Sequence, residues 1–154
     1  LMGARRITQR VEHLRNIRLA VEFLEKEISY LQTPLSYALQ KTAQMASPPV
    51  DILFRISSQK LQQRQGTTAL EAWNDGLVCL KHNSALSQGD IQVLKSLGPH
   101  LGMSGSHEQK QSIKLIQEEL GILQDRARAE AESGSKLWSY GGFVLGATLV
   151  LLLI

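Results

Sequence analysis

Chemistry-bearing side chains are scarce in this chain. Its 154 residues hold a single cysteine, Cys79, which excludes an internal disulfide. The neighbours Val78 and Leu80 mark Cys79 as a packed helix thiol, not a reactive one. The four histidines, His13, His82, His100 and His107, show no metal-ligand spacing, and no HExxH motif accompanies them. No GxxxxGK[ST] loop is present to cradle a nucleotide phosphate, and no GxSxG elbow to carry a nucleophile. A net charge of +3 is too small for a nucleic-acid binder. Aromatics make up 5% of the chain and prolines number four, a composition that favours helices over a sheet. These absences weigh against an enzyme, and no cofactor, metal or nucleic acid is expected.

Charge is also missing from residues 137–154, which read LWSYGGFVLGATLVLLLI. As a helix this run measures about 27 Å, close to the roughly 30 Å hydrocarbon core of a bilayer. Trp138 and Tyr140 stand at its entrance, where aromatic rings favour the membrane–water interface. A transmembrane helix is expected here. Gly142 and Gly146 form a small-xxx-small face that suits close packing against another helix in the membrane.

Helical periodicity covers nearly everything before it. Ile7, Val11, Leu14, Ile17, Val21, Leu24, Ile28 and Leu31 recur at steps of three and four, one stripe on a long helix. Thr33-Pro34 reads as an N-cap with proline at the first position of a second helix, which carries Leu35, Ala38, Leu39 and Thr42 inward. Ser47-Pro48-Pro49 starts a third, with Val50, Leu53, Phe54 and Leu61 on its buried side. Thr68-x-x-Glu71 opens a fourth with the stripe Leu70, Trp73, Leu77 and Leu80. Asp75-Gly76 within it can be read as a turn, but a helical glycine costs only about 1 kcal/mol, so the helix is kept whole. Ser87-x-x-Asp90 opens a fifth, ended by Gly98-Pro99. A glycine-rich turn over 102–105 leads to a sixth, whose stripe runs from Ile113 to Ala131 and on toward the apolar tail. The fold class is therefore all-α: a compact six-helix domain over residues 5–136, followed by the membrane helix 137–154.

The charges near the ends are ordered. Arg5, Arg6, Arg10, Arg15 and Arg18 crowd the first half of helix one against Glu12 alone, and Lys136 adjoins the apolar run. Basic residues beside a span stay on the cytoplasmic side, where anionic lipid attracts them. Arg5, Arg6, Arg10, Lys136, Trp138 and Tyr140 are therefore read as membrane-flanking, with the domain in the cytosol. Glu22, Glu25, Lys26 and Glu27, with Tyr30, form a charged patch on helix one. It is read either as a solvated ion-pair face or as a docking surface for a partner.

Several blocks resemble one family. Leu24-Glu25-Lys26-Glu27-Ile28-Ser29-Tyr30, Thr33-Pro34-Leu35 with Ala38-Leu39, Glu71-Ala72-Trp73, Leu97-Gly98 with Leu101-Gly102, and Lys136-Leu137-Trp138 are similar to the stage III sporulation protein AB family. The resemblance implies a helical domain like the cytoplasmic domain of type II secretion and type IV pilus inner-membrane platform proteins. It implies an inner-membrane scaffold of a channel apparatus linking mother cell and forespore. Such a scaffold would lie in the mother-cell membrane around the forespore. The implied partners are a secretion-type hexameric ATPase (stage III sporulation protein AA), other membrane proteins of the apparatus, lipid, and further copies of the chain. Family members also carry an N-terminal span, which would make residues 1–4 the end of such a segment. Gln32 stands where the family often has glycine at the end of helix one, and this suggests a different cap there. Gly105 stands where an aspartate is common. The rival reading is a tail-anchored coiled-coil tether, elongated on helix one.

Overall fold

The computed structural model describes residues 2–63, 66–102 and 106–153, with side chains over 5–63, 66–102 and 107–133. The described residues form α1 (Met2–Ser29), α2 (Leu35–Met45), α3 (Asp51–Gln62), α4 (Ala69–Asn83), α5 (Gln88–Lys95), α6 (Gly98–Leu101) and α7 (Ser106–Leu153). No strand occurs among them. Six of the helices match the periodicity of the sequence. The seventh, α6, is one turn in which Gly98-Pro99 starts a helix as well as ending one, because proline is suited to a first turn.

The stripe on α1 supplies the centre of the core. Leu14, Ile17, Val21 and Leu24 are fully enclosed, against α7 on one side and α2 on the other. Ala38 and Leu39 of α2 join them, then Leu53 and Phe54 of α3 and Trp73, Leu77 and Leu80 of α4. From α7 come Ile113, Ile116, Leu120 and Ala127. Trp73 meets Phe54 edge-on at 5.8 Å, and its indole N–H donates to the Leu94 carbonyl at 2.7 Å, so no polar atom of the ring is left bare. These tertiary contacts make a compact bundle around α1, unlike an elongated tether.

Local signals decide where helices start and stop, with two differences from expectation. Thr68 caps α4 by accepting from the Glu71 N–H, and Ser87 with Asp90 forms a complete capping box on α5. Thr33, expected to cap α2, does something else. Its hydroxyl donates to the Glu27 carboxylate at 2.7 Å, and Pro34 occupies the N-cap with no side-chain bond. Gln32 adopts φ 52°, the left-handed conformation that glycine favours, so that the Thr33 N–H reaches the Glu27 carbonyl at 2.9 Å. The turn that follows leaves Leu31, expected inward, two-thirds exposed.

The Asp75-Gly76 step is helical, and Gly76 is buried where α4 crosses α3. Among the described residues no helix is long and apolar enough to cross a membrane. The expected span 137–154, with Lys136, Trp138, Tyr140, Gly142 and Gly146, lies outside the residues whose side chains are described. The backbone of α7 is helical from Ser106 through Leu153.

Candidate functional site

A polar groove runs between α1 and α7. The two helices run antiparallel, and polar contacts set their levels. Arg10 reaches Glu130 (3.6 Å), Arg18 donates to Gln124 and lies over Gly121, and Lys110 sits 4.2 Å above the Tyr30 ring. Gln117, with its amide nitrogen turned to the carboxylate, lies 3.2 Å from Glu25 Oε2. A cavity of about 480 Å³ runs along this seam, lined by Arg15, Arg18, Leu19, Glu22, Lys26, Tyr30 and Lys114 among others. Cations and carboxylates are interspersed along it with apolar side-chain surface, and the groove is open to solvent. Such a groove can hold a charged protein segment but offers no water-excluded pocket for chemistry.

The expected patch on α1 divides in two. Glu22 and Lys26 are exposed and pair at 3.5 Å, and Tyr30 is exposed beside them. Lys110, by hydrogen bond and then by charge, holds the Tyr30 hydroxyl below its ordinary pKa. Glu25 and Glu27, expected to be exposed, are both 94% enclosed, and this is a correction. Their positions flank the apolar stripe, so α7 covers one and the α1–α2 turn covers the other. Glu27 is held by the Thr33 hydroxyl and by Lys41 at 3.6 Å, which ties the start of α2 to α1. A buried carboxylate needs such partners. The accessible patch is therefore Glu22, Lys26 and Tyr30, joined by Lys110 and Lys114 from α7.

Of the basic residues read as membrane-flanking, Arg5 and Arg6 are exposed, and Arg6 lines a second groove. Arg10 has a partner that sequence reasoning missed. Its Nε and Nη2 donate to the two oxygens of Asp90 at 2.7 and 2.9 Å. Asp90 is fully buried, and it also accepts from the Ser87 N–H at 2.9 Å. Burial alone would raise the Asp90 carboxyl, but the Arg10 guanidinium and the Ser87 amide and hydroxyl hold it below its ordinary value. The capping box was legible from Ser87-x-x-Asp90. The second partner, eighty positions away, has no local signal.

The second groove, about 540 Å³, is lined by Arg6, Gln9, His13, Pro48, Pro49 and His82 with the Asn83–Ala85 turn. His13 Nδ1 accepts the Ala85 N–H at 3.1 Å, which fixes the neutral tautomer, and burial lowers its pKa despite nearby Glu12. Among the described residues no group of three His, Cys, Asp or Glu side chains converges to hold a metal ion. Cys79 is half-buried on α4.

Comparison with known proteins follows the same lines. The family model for stage III sporulation protein AB matches residues 1–154. Stage III sporulation protein AB of Bacillus subtilis (strain 168) is 32% identical over 147 residues, covering 96% of this chain and 85% of that protein. A solved structure of stage III sporulation protein AB superposes with a TM-score of 0.75 at 31% identity, over 80% of this chain and 97% of the other. An all-helical bundle, the same fold in a solved relative and a match over the full sequence agree: the chain belongs to the stage III sporulation protein AB family.

Proposed function

We propose that this chain is a non-enzymatic membrane platform: a scaffold of a secretion-like channel apparatus between mother cell and forespore. In this reading its helical domain faces the mother-cell cytoplasm and docks a secretion-type ATPase. One observation carries it. α7 is a single helix that packs in the bundle at its start and continues through the uncharged run over 137–153. A rigid helix common to domain and anchor passes a push on one directly to the other, with no linker to absorb it. The run itself has the length, the flanking Lys136 and the aromatic entrance of a transmembrane helix. Its Gly142 and Gly146 would let other membrane helices of the apparatus approach closely.

The motor is assigned to the end of the groove farthest along α7 from that anchor, where Lys26, Tyr30 and Lys110 stand together with Glu22. An exposed tyrosine among lysines suits an acidic or aromatic protein surface. The test is copurification of the full chain, extracted from membranes, with the secretion-type ATPase stage III sporulation protein AA. The expected result is joint recovery that Lys26→Glu or Tyr30→Ala reduces about tenfold, as for one interface anchor. Recovery of the full chain in the soluble fraction, or unchanged copurification of both variants, would overturn the respective half of the reading.

A further inference from the structure

The outer face of the α1–α7 pair carries two unpartnered ridges. On α1, Glu12, Arg15 and Leu19 point into solvent, and on α7 so do Ile122, Asp125 and Arg128. Leu19 and Ile122 are each about half exposed, large apolar side chains on helix faces turned away from the core. The antiparallel levels are set by Arg10 at Glu130, Arg18 at Gly121 and Tyr30 at Lys110. By the same spacing Glu12 stands level with Arg128, Arg15 with Asp125, and Leu19 with Ile122. Each level thus holds an opposite-charge or an apolar pair, divided between two neighbouring ridges of one face.

We propose that two copies of this chain associate through this face, about a two-fold axis parallel to α1 and α7. Such an axis leaves every level unchanged and lays α1 of one copy against α7 of the other. Glu12 then meets Arg128 of the second copy, Arg15 meets Asp125, and Leu19 meets Ile122, each pair occurring twice. The direction of the two α7 ends selects this arrangement over its rival. A two-fold across the helices would set Leu19 against Leu19 and send the two α7 ends in opposite directions, so that the copies could not share one membrane. The choice of axis rests on the platform reading, and the complementarity of the ridges does not. Two levels are unfavourable, because Glu22 would meet Glu118 and Lys26 would meet Lys114, and Glu22 already holds Lys26 at 3.5 Å. The contact therefore stops short of them, and the Lys26–Tyr30 end stays open to a motor. A contact two helices wide is below the size of a stable solution dimer, so confinement to one membrane supplies the effective concentration it needs.

The test uses two tagged populations of the full chain made together in cells, both carrying Cys79→Ser, one with Leu19→Cys and the other with Ile122→Cys. Mild oxidation is expected to link the two tags in a product that stops at dimer size. Adding Arg15→Asp to both lowers the yield about tenfold, since two symmetry-related pairs turn repulsive. Adding Asp125→Arg as well restores it. All four positions are exposed, and unchanged far-UV circular dichroism verifies the fold of each variant. Strong self-linking of Leu19→Cys alone, a ladder beyond the dimer, no linkage, or a yield indifferent to the charge changes overturns the proposal. Fractionation of the same cells reads membrane residence separately, so failure of the anchor and failure of the pairing are distinct results.

Discussion

Gly76→Ala tests the closest approach in the bundle. A Cβ at this position would stand 2.6 Å from the Leu53 carbonyl oxygen, 2.6 Å from Ser57 Oγ and 3.0 Å from Leu53 Cδ1. The first of these is α3 backbone, so relief requires α3 and α4 to separate, not a rotamer to change. The second moves a hydroxyl that donates to the Leu53 carbonyl at 2.7 Å and lies 3.3 Å from that of Ala72, a buried bond worth about 1 kcal/mol. Overpacking adds about 1–3 kcal/mol, while alanine recovers about 1 kcal/mol of helix propensity. The net expectation is a loss of about 2 kcal/mol, read as a lowered urea midpoint by far-UV circular dichroism of the full chain. Loosening the Phe54–Trp73 contact should also change the near-ultraviolet signal. Gly89→Ala is the control, because its nearest neighbour lies at 3.7 Å; it should gain about 0.5–1 kcal/mol. A Gly76→Ala variant as stable as the parent would refute the packing argument.

Other substitutions probe the polar ties. Asp90→Asn should cost about 2–3 kcal/mol in urea unfolding. This is less than a fully enclosed pair, because Arg10 keeps 19% of its side-chain surface in water. Since the fold depresses the Asp90 carboxyl, its contribution is complete above the ordinary value of 3.8 and fades as pH falls through the lower, folded value. Acid titration of stability should therefore flatten in Asp90→Asn, and a parallel curve would contradict the assignment. His13 follows the same sign. Its pKa is lowered, so stability should be complete above pH 6.5 and decline below it as protonation removes the acceptor for the Ala85 N–H, a slope that His13→Gln should abolish. Gln32→Gly should raise stability by about 1 kcal/mol by relieving a left-handed residue, measurable as a higher Tm.

What was legible in the sequence, and what was not, follows from the range of the interactions. Helix existence and the inward faces of α1, α2, α3 and α7 could be read because a stripe at steps of three and four reports burial from within one element. On α4, by contrast, the expected Leu70 is 40% exposed, and only Trp73, Leu77 and Leu80 of the stripe turn inward. The capping residues Thr68 and Ser87 could be read because their bonds close within three positions. Beyond that range the reading failed in a consistent way. Glu25 and Glu27 carry the same charge and helix as Glu22, yet only Glu22 is exposed, because the other two stand on the flanks of the stripe, under α7 and the α1–α2 turn. Counting charges cannot separate a flank from an outer face; the helical angle from the stripe can. Gln32 shows the reverse case. The departure from glycine suggested a new cap, whereas the Thr33–Glu27 bonds hold the glycine-like turn and the glutamine bears the strain. Arg10 adds the lesson that bears most on function. A basic cluster near an expected membrane invites a lipid partner, but a guanidinium bonded to both oxygens of a buried aspartate is already committed to joining α1 and α5. The residues free to meet lipid or protein are those left after such internal ties are subtracted. Along α1 and the turn after it, that leaves Arg5 and Arg6 at one end, the Glu12–Arg15–Leu19 ridge between, and at the other end Lys26 and Tyr30, whose ties to Glu22 and Lys110 lie on the exposed surface.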